Sequence, residues 1–210
     1  QSSTQWDALS HIYYEGKMYN GFPSGAITSL GAARNGIDQV SKRGHIVGRG
    51  VFLDVARHRG VKHLLEEEVI PPEELDEVVK KQGVELRTGD IIVIRTGWYL
   101  DYLEKRDGES WAWKSPGLSW RCAEWFHARN AAAVAMDNVG VEVMKPETGI
   151  WSLFHMLALR DMGMMLGEIW DLEALGEDCA KDGVFEFMLI AAVLQVTGAV
   201  GSPVNPIAVK

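Results

Sequence analysis

Four runs limit the fold of this chain more than any other feature: residues 50–56 (GVFLDVA), 91–94 (IIVI), 132–143 (AAVAMDNVGVEV) and 164–170 (MMLGEIW). A half-exposed strand alternates polar and apolar residues, whereas a short, mostly apolar run rich in β-branched residues reads as a buried strand. Helical patterns separate them. Pro71-Pro72-Glu73-Glu74 is a helix start, with proline in the first turn and carboxylates at the positive end of the dipole; Leu75, Val78 and Val79 form its apolar face, and Gly83 ends it. Residues 120–132, 150–160 and 172–181 read as further helices. The spacing of Leu30, Ala33, Ile37 and Val40 predicts one more, stopping at Gly44. Residues 12–23 form an aromatic, glycine-rich loop able to fold over a site, 99–117 a surface excursion, and 186–196 and 206–209 two closing strands. The expected fold is α/β: a single domain over 1–210, with a mixed β-sheet flanked by helices.

Composition removes several functions. With 21 basic and 29 acidic residues the net charge is −8, which opposes a nucleic-acid surface. No run approaches the roughly 18 apolar residues that span a bilayer. Cys122 and Cys179 lie in neither a disulfide framework nor a zinc-ligand spacing, so they read as reduced thiols of a cytoplasmic protein. Eight tryptophans suit core and interface positions, with one or two lining a pocket. Ser2, Ser3 and Ser10 have no nucleophile elbow around them. Gly48-Arg49-Gly50 lacks the third glycine of a dinucleotide fingerprint. His45, His58 and His63 sit among Arg and Lys and read as solvated.

The densest polar stretch is residues 1–11, QSSTQWDALSH. Asp7 and His11 combine a carboxylate and an imidazole, the usual ligands of zinc or manganese and a usual pair for moving protons. His155 on a helix and Glu168 in a strand are the other candidates. Each has a plainer alternative: a capped turn for Asp7 and His11, a satisfied core histidine for His155, and an arginine pair for Glu168. Asp54 is either a strand-end cap or a site residue. Spacing alone leaves these open.

The opening run is similar, in register, to the HxGTHxDxPxH signature of the cyclase family that includes bacterial kynurenine formamidase and isatin hydrolase. Thr4, Asp7 and His11 match, while Gln1 and Gln5 stand where the family has histidine. Gly50 to Asp54, Gly89-Asp90 through Arg95-Thr96-Gly97-Trp98, Asp137, His155, Glu168 and the Gly201-Ser202-Pro203 turn resemble later family segments in the same order. The resemblance implies a swivelling β/β/α fold and metal-dependent hydrolysis of amide bonds in small cyclic or aromatic substrates. It implies Zn or Mn on Asp7, His155 and Glu168, with Gln5 and Gln1 as weak amide ligands and His11, beside Asp7, as the proton shuttle. Trp6, Tyr14 and Trp98 are expected to touch substrate. The resemblance also implies a homodimer or higher homo-oligomer, and a natural chain with a segment before Gln1. An amide oxygen is a weaker ligand than imidazole, so three readings follow: a metal enzyme, a metal-free acid–base enzyme, or a small-molecule binding protein.

Overall fold

The computed structural model describes residues 3–44 and 46–210. Among them, eight strands form one sheet: β1 (Gln5–Asp7), β2 (Val47–Asp54), β3 (Ile91–Arg95), β4 (Ala133–Met136), β5 (Met165–Glu168), β6 (Glu186–Ile190), β7 (Gly201–Pro203) and β8 (Ile207–Val209). Their spatial order is β7-β1-β5-β4-β3-β2-β6-β8. The four central strands, β2 to β5, run parallel. The flanking pairs β1 with β5 and β7, and β6 with β2 and β8, are antiparallel.

The continuous apolar runs have a direct cause in this arrangement. In β2 to β5, Val51, Leu53, Ile92, Ile94, Val134, Met136 and Leu166 pack into one core layer. Their neighbours Phe52, Ile91, Val93, Ala133, Ala135 and Met165 pack into another. Since side chains alternate across a strand, both faces of the central sheet are covered and no polar alternation survives. Helices α1 (Pro72–Gln82), α2 (Cys122–Ala128) and α3 (Leu153–His155, continuing as a π-helix over Met156–Met162) contribute to the first layer. Helix α4 (Glu173–Asp182) contributes Cys179 to the second. Burying a large apolar side chain stabilises by about 1.5–3 kcal/mol, so each strand contributes to both layers at once.

Several expectations change. No helix covers residues 30–37: Ile27–Thr28 pairs with Gly31–Ala32, Leu30 is 96% exposed, and helix runs only over Asp38–Lys42. Asn35 interrupts the pattern, taking a left-handed φ of 58° while its amide donates to the Tyr19 carbonyl. Residues 99–117 are not a loose excursion. They contain helices Trp98–Lys105 and Gly108–Trp113, joined where the Trp98 and Trp111 indoles donate to each other's backbone carbonyls. The strand expected over 132–143 ends at Met136, because the buried Asp137 carboxylate turns to accept from Thr96 and Gly97. Gly201–Pro203 is a strand paired with β1 rather than a turn. None of the described helices is long and apolar enough to cross a membrane.

Candidate functional site

The site lies where β1 meets β5. Their register sets Gln5 opposite Glu168 and Trp6 opposite Gly167. With a two-residue period, Gln5, Asp7 and Glu168 then share one face while Trp6 points to the other. Gly167 makes this close approach possible, since a Cβ there would lie 2.9 Å from the Trp6 ring and 2.7 Å from the Ala135 Cβ. Thr4 ties the two strands together by donating to the Ile169 carbonyl at 2.6 Å.

The first turn of α3 adds His155. Its Nε2 lies 3.2 Å from Glu168 Oε1 and 3.8 Å from Asp7 Oδ2. Its Nδ1 lies 2.6 Å from Glu142 Oε1. The Gln5 amide nitrogen donates to Glu168 Oε2 at 2.9 Å and to Asp7 Oδ1 at 3.3 Å. Asp7 and Glu168 are each 1% exposed and His155 is 7% exposed, so these charges interact in a medium that screens them weakly. His11 stands at the rim, its Nδ1 3.8 Å from Asp7 Oδ1 and its ring centroid 6.3 Å from that of His155.

Environment separates the two imidazoles. Burial opposes charge on His155, but the Glu142 and Glu168 carboxylates at its two nitrogens outweigh it and push the ring up to about 10. His11 is held below its ordinary 6.5, chiefly by burial, with Asp7 pulling the other way. A neutral ring beside a carboxylate is suited to accept a proton.

Of the residues singled out from sequence, Gln5, Asp7, His155 and Glu168 come together, with His11 beside them. Gln1 and His45 lie outside the described residues. Trp6 corrects the expectation of a substrate contact: it is fully buried on the opposite face, its indole donating to the Ala191 carbonyl and its ring edge-on to Trp170. Trp98 is likewise core, packed with Trp111 and Ile169. Tyr14 donates to Asp161 at 2.6 Å and lies under the Arg160 guanidinium. Asp54 caps the helix that follows it and pairs with Arg95, which settles its role as structural. His58 and His63 are partly buried and face Glu77 and Asp101 rather than open solvent. Sequence reasoning passed over Glu142. The one hint is a group of turn residues, Asp137-Asn138 and Gly140, two or more positions before it, in a run that otherwise reads as strand.

A model of the Cyclase family matches residues 1–143. The crystal structure of a novel cyclase superposes with a TM-score of 0.88 at 41% identity, covering 99% of this chain and 68% of that one. The chain belongs to the cyclase family. Isatin hydrolase A from Labrenzia aggregata, bound to benzyl benzoate, superposes with a TM-score of 0.68 at 19% identity, covering 98% of this chain and 71% of that one. A predicted metal-dependent hydrolase from Bacillus stearothermophilus gives 0.59 at 13%, covering 99% and 76%. These two share the fold with this cyclase-family chain. No curated protein matches it.

For a cyclase-family member the residues present fit a metal ion. Asp7, His155 and Glu168 each offer one ligand atom, all within 4.8 Å of one another. One imidazole nitrogen and two carboxylate oxygens form a donor set that zinc and manganese accept. The Gln5 amide already sits against both carboxylates, and rotating it by half a turn presents oxygen in place of nitrogen.

Proposed function

We propose that this protein is a hydrolase of the cyclase family that opens an amide, ester or lactone bond in a small cyclic or aromatic substrate. Asp7, His155 and Glu168 would hold Zn or Mn, with Gln5, and Gln1 by family register, as weak amide partners. The observation that carries this is the convergence of those three donors within 4.8 Å, with the His11 imidazole at the rim. When bound, such a cation supplies Lewis acidity, lowering the pKa of water and stabilising negative charge on oxygen. His11 takes the proton of the attacking water on the ring nitrogen turned from Asp7. As the bond between carbonyl carbon and leaving group breaks, it returns that proton to the leaving nitrogen or oxygen. Asp7 faces the other ring nitrogen and holds its tautomer. Without a cation, the Gln5 amide restrains Asp7 and Glu168 by donating to both.

Metal analysis of the purified protein tests this reading, combined with turnover of a panel of aryl amides, lactams and lactones before and after chelation. Stoichiometric Zn or Mn with chelator-sensitive turnover supports it, and His11→Ala should lower kcat by about 10²–10⁴. Absence of metal together with full activity in His11→Ala refutes it. One observation favours a second reading. The Gln5 amide donates to one oxygen of each carboxylate as they stand, which suits a small-molecule binding protein on the same fold. That reading predicts ligand binding that survives His11→Ala and Glu168→Gln without turnover. We further propose a homodimer or higher oligomer, supported by the exposed Trp113 and Trp151, whose rings lie 6.2 Å apart, and a cytoplasmic location, in keeping with the free, buried Cys122 and Cys179. Light scattering of the intact protein checks the oligomer.

A further inference from the structure

We infer that Glu142 is the positioning residue of this centre: a strained turn presents its carboxylate to the back of His155, so that Nε2 is left facing Asp7 and Glu168. The inference rests on the metal reading for its consequence and on geometry alone for its substance.

Glu142 is a buried acid with its oxygens committed on one side. Oε1 accepts from the His155 backbone N–H at 2.9 Å and lies 2.6 Å from the ring Nδ1; Oε2 accepts from the Phe154 N–H at 3.1 Å. One carboxylate therefore caps the start of the helix that carries His155 and grips the ring of the same residue. A ring held by main chain and side chain together has little freedom about either side-chain torsion. With Nδ1 turned to Glu142, Nε2 is the nitrogen available at 3.2 Å from Glu168 and 3.8 Å from Asp7. A carboxylate behind a ligating imidazole fixes both its orientation and its tautomer.

The backbone that delivers Glu142 is unusual. Val141, fully buried, has a φ of 55°, a left-handed conformation that a β-branched residue rarely adopts. The Glu142 N–H donates to the Gly140 carbonyl two residues back, closing a turn around Val141. Such strain persists only where surroundings over-determine it, and here they do. The Asn138 side chain accepts from the Val141 N–H and donates to the Val141 and Pro116 carbonyls. Leu118 brackets the segment, donating to the Val141 carbonyl at 2.9 Å and accepting from the Val143 N–H at 3.1 Å. Gly117 lets the strand carrying Leu118 come this close, because a Cβ there would lie 2.5 Å from the Glu142 carbonyl carbon. Ser152 stands at the cap position with a left-handed φ of 57° and makes no side-chain cap bond, so Glu142 supplies the cap as well. What the turn adds is a carboxylate fixed against Nδ1.

Glu142→Gln keeps the size of the side chain and an acceptor oxygen for the helix start while removing the charge. Two readouts separate positioning from mere support. In metal-free protein, nitrogen-15 histidine spectra should show a low-field Nδ1–H resonance from His155. Glu142→Gln should shift it upfield or abolish it, and Glu168→Gln should leave it in place. A resonance unmoved by Glu142→Gln overturns the inference whether or not metal binds. In calorimetric titration with Co²⁺ alone, at a temperature where both proteins are folded, the variant should bind about 10–100-fold more weakly than the unmodified protein. Equal affinity overturns the inference. An unmodified protein that takes up no Co²⁺ refutes the metal reading instead and leaves the resonance to decide Glu142. If Glu142→Gln does not fold, Glu142→Asp keeps the charge but draws it back from Nδ1 by one methylene. It should weaken Co²⁺ binding severalfold, and unchanged affinity there also counts against the inference.

Discussion

Gln5 replaces an imidazole of the family signature, and replacing it with leucine measures what its amide does. The amide nitrogen donates at 2.9 Å to Glu168 Oε2 and at 3.3 Å to Asp7 Oδ1, both on carboxylates that are 1% exposed. A hydrogen bond to a charged group contributes about 1.5–3 kcal/mol, the longer of the two falling at the low end. Leucine has nearly the same volume but no donor, so the cost is the loss of these bonds plus a larger repulsion between two poorly screened carboxylates. Together this is about 3 kcal/mol in the absence of metal. For a chain of this length, that lowers the unfolding midpoint by roughly 6–12 °C. The assay is thermal unfolding of both proteins after exhaustive chelation, repeated with Zn²⁺ or Mn²⁺ at increasing concentration. Metal should restore much of the loss, because a cation between the carboxylates replaces the missing donor and stabilises by mass action. A midpoint within 1–2 °C of the unmodified protein in metal-free buffer, at most about 1 kcal/mol on the same scale, refutes the argument that the amide holds the two carboxylates.

Gln5→His should tighten Zn²⁺ binding by at least about tenfold, since imidazole is the better ligand; calorimetry with Zn²⁺ decides, and unchanged affinity shows that position 5 faces away from the ion. Arg95→Met should destabilise by about 1.5–3 kcal/mol in urea unfolding, because Arg95 bridges the buried Asp54 at 3.0 Å and Glu173 through two bonds, while Arg57 still partners Asp54 after its loss. Turnover of the folded fraction should be unaffected, as neither partner belongs to the Asp7 cluster. Burial pushes the Asp137 carboxyl up to about 6 from 3.8, against the donors of Thr96 and Gly97. The folded state therefore binds the proton more tightly than the unfolded state. Stability from this group is retained below pH about 4 and declines as pH rises to about 6, by roughly 3 kcal/mol. The difference in unfolding free energy between the unmodified protein and Asp137→Asn should follow that course and stay flat above pH 7.

Residues whose environment repeats along the chain were the legible ones. The runs at 50–56 and 91–94 announce strands buried on both faces, and the structure covers both. The prolines at 71 and 72 and Gly83 bracket a helix observed as Pro72–Gln82. The opening signature, read in register, picks out Asp7, which lies in the cluster, and His11, which stands at its rim. Side-chain direction was not legible. Trp6 lies between Gln5 and Asp7 in sequence, but strand alternation sends it into the opposite core layer once β1 pairs with β5, and that pairing spans some 160 residues. Glu142 escaped for a different reason. Val141 carries the chain into a left-handed turn that only glycine or asparagine would have advertised, so GVEV reads as strand. Leu30 and Val40 have helical spacing, but Asn35 breaks the helix through a contact to Tyr19 that no local pattern encodes.

Charge decides what the missing imidazole means. His155 is in ion-pair range of three carboxylates: Glu142 at 2.6 Å, Glu168 at 3.2 Å and Asp7 at 3.8 Å. If a proton alone sits on this ring, both nitrogens are donors, one positive charge faces three negative ones, and Nε2 can neither ligate nor accept. That arrangement is a structural knot, the state expected of a binding protein. Exchanging the Nε2 proton for a divalent cation raises the compensating charge while freeing Nε2 to act as a ligand, and it leaves the Glu142 bond to Nδ1 intact. The second imidazole that the family signature supplies adds no charge to such a site, since neutral imidazole and amide oxygen are both uncharged ligands. Substituting glutamine therefore lowers ligand strength but not the electrostatic demand for a cation, which the three carboxylates set. On this balance the metal reading is favoured over the knot, and on that reading Gln5 would act on the affinity of the centre rather than on its existence.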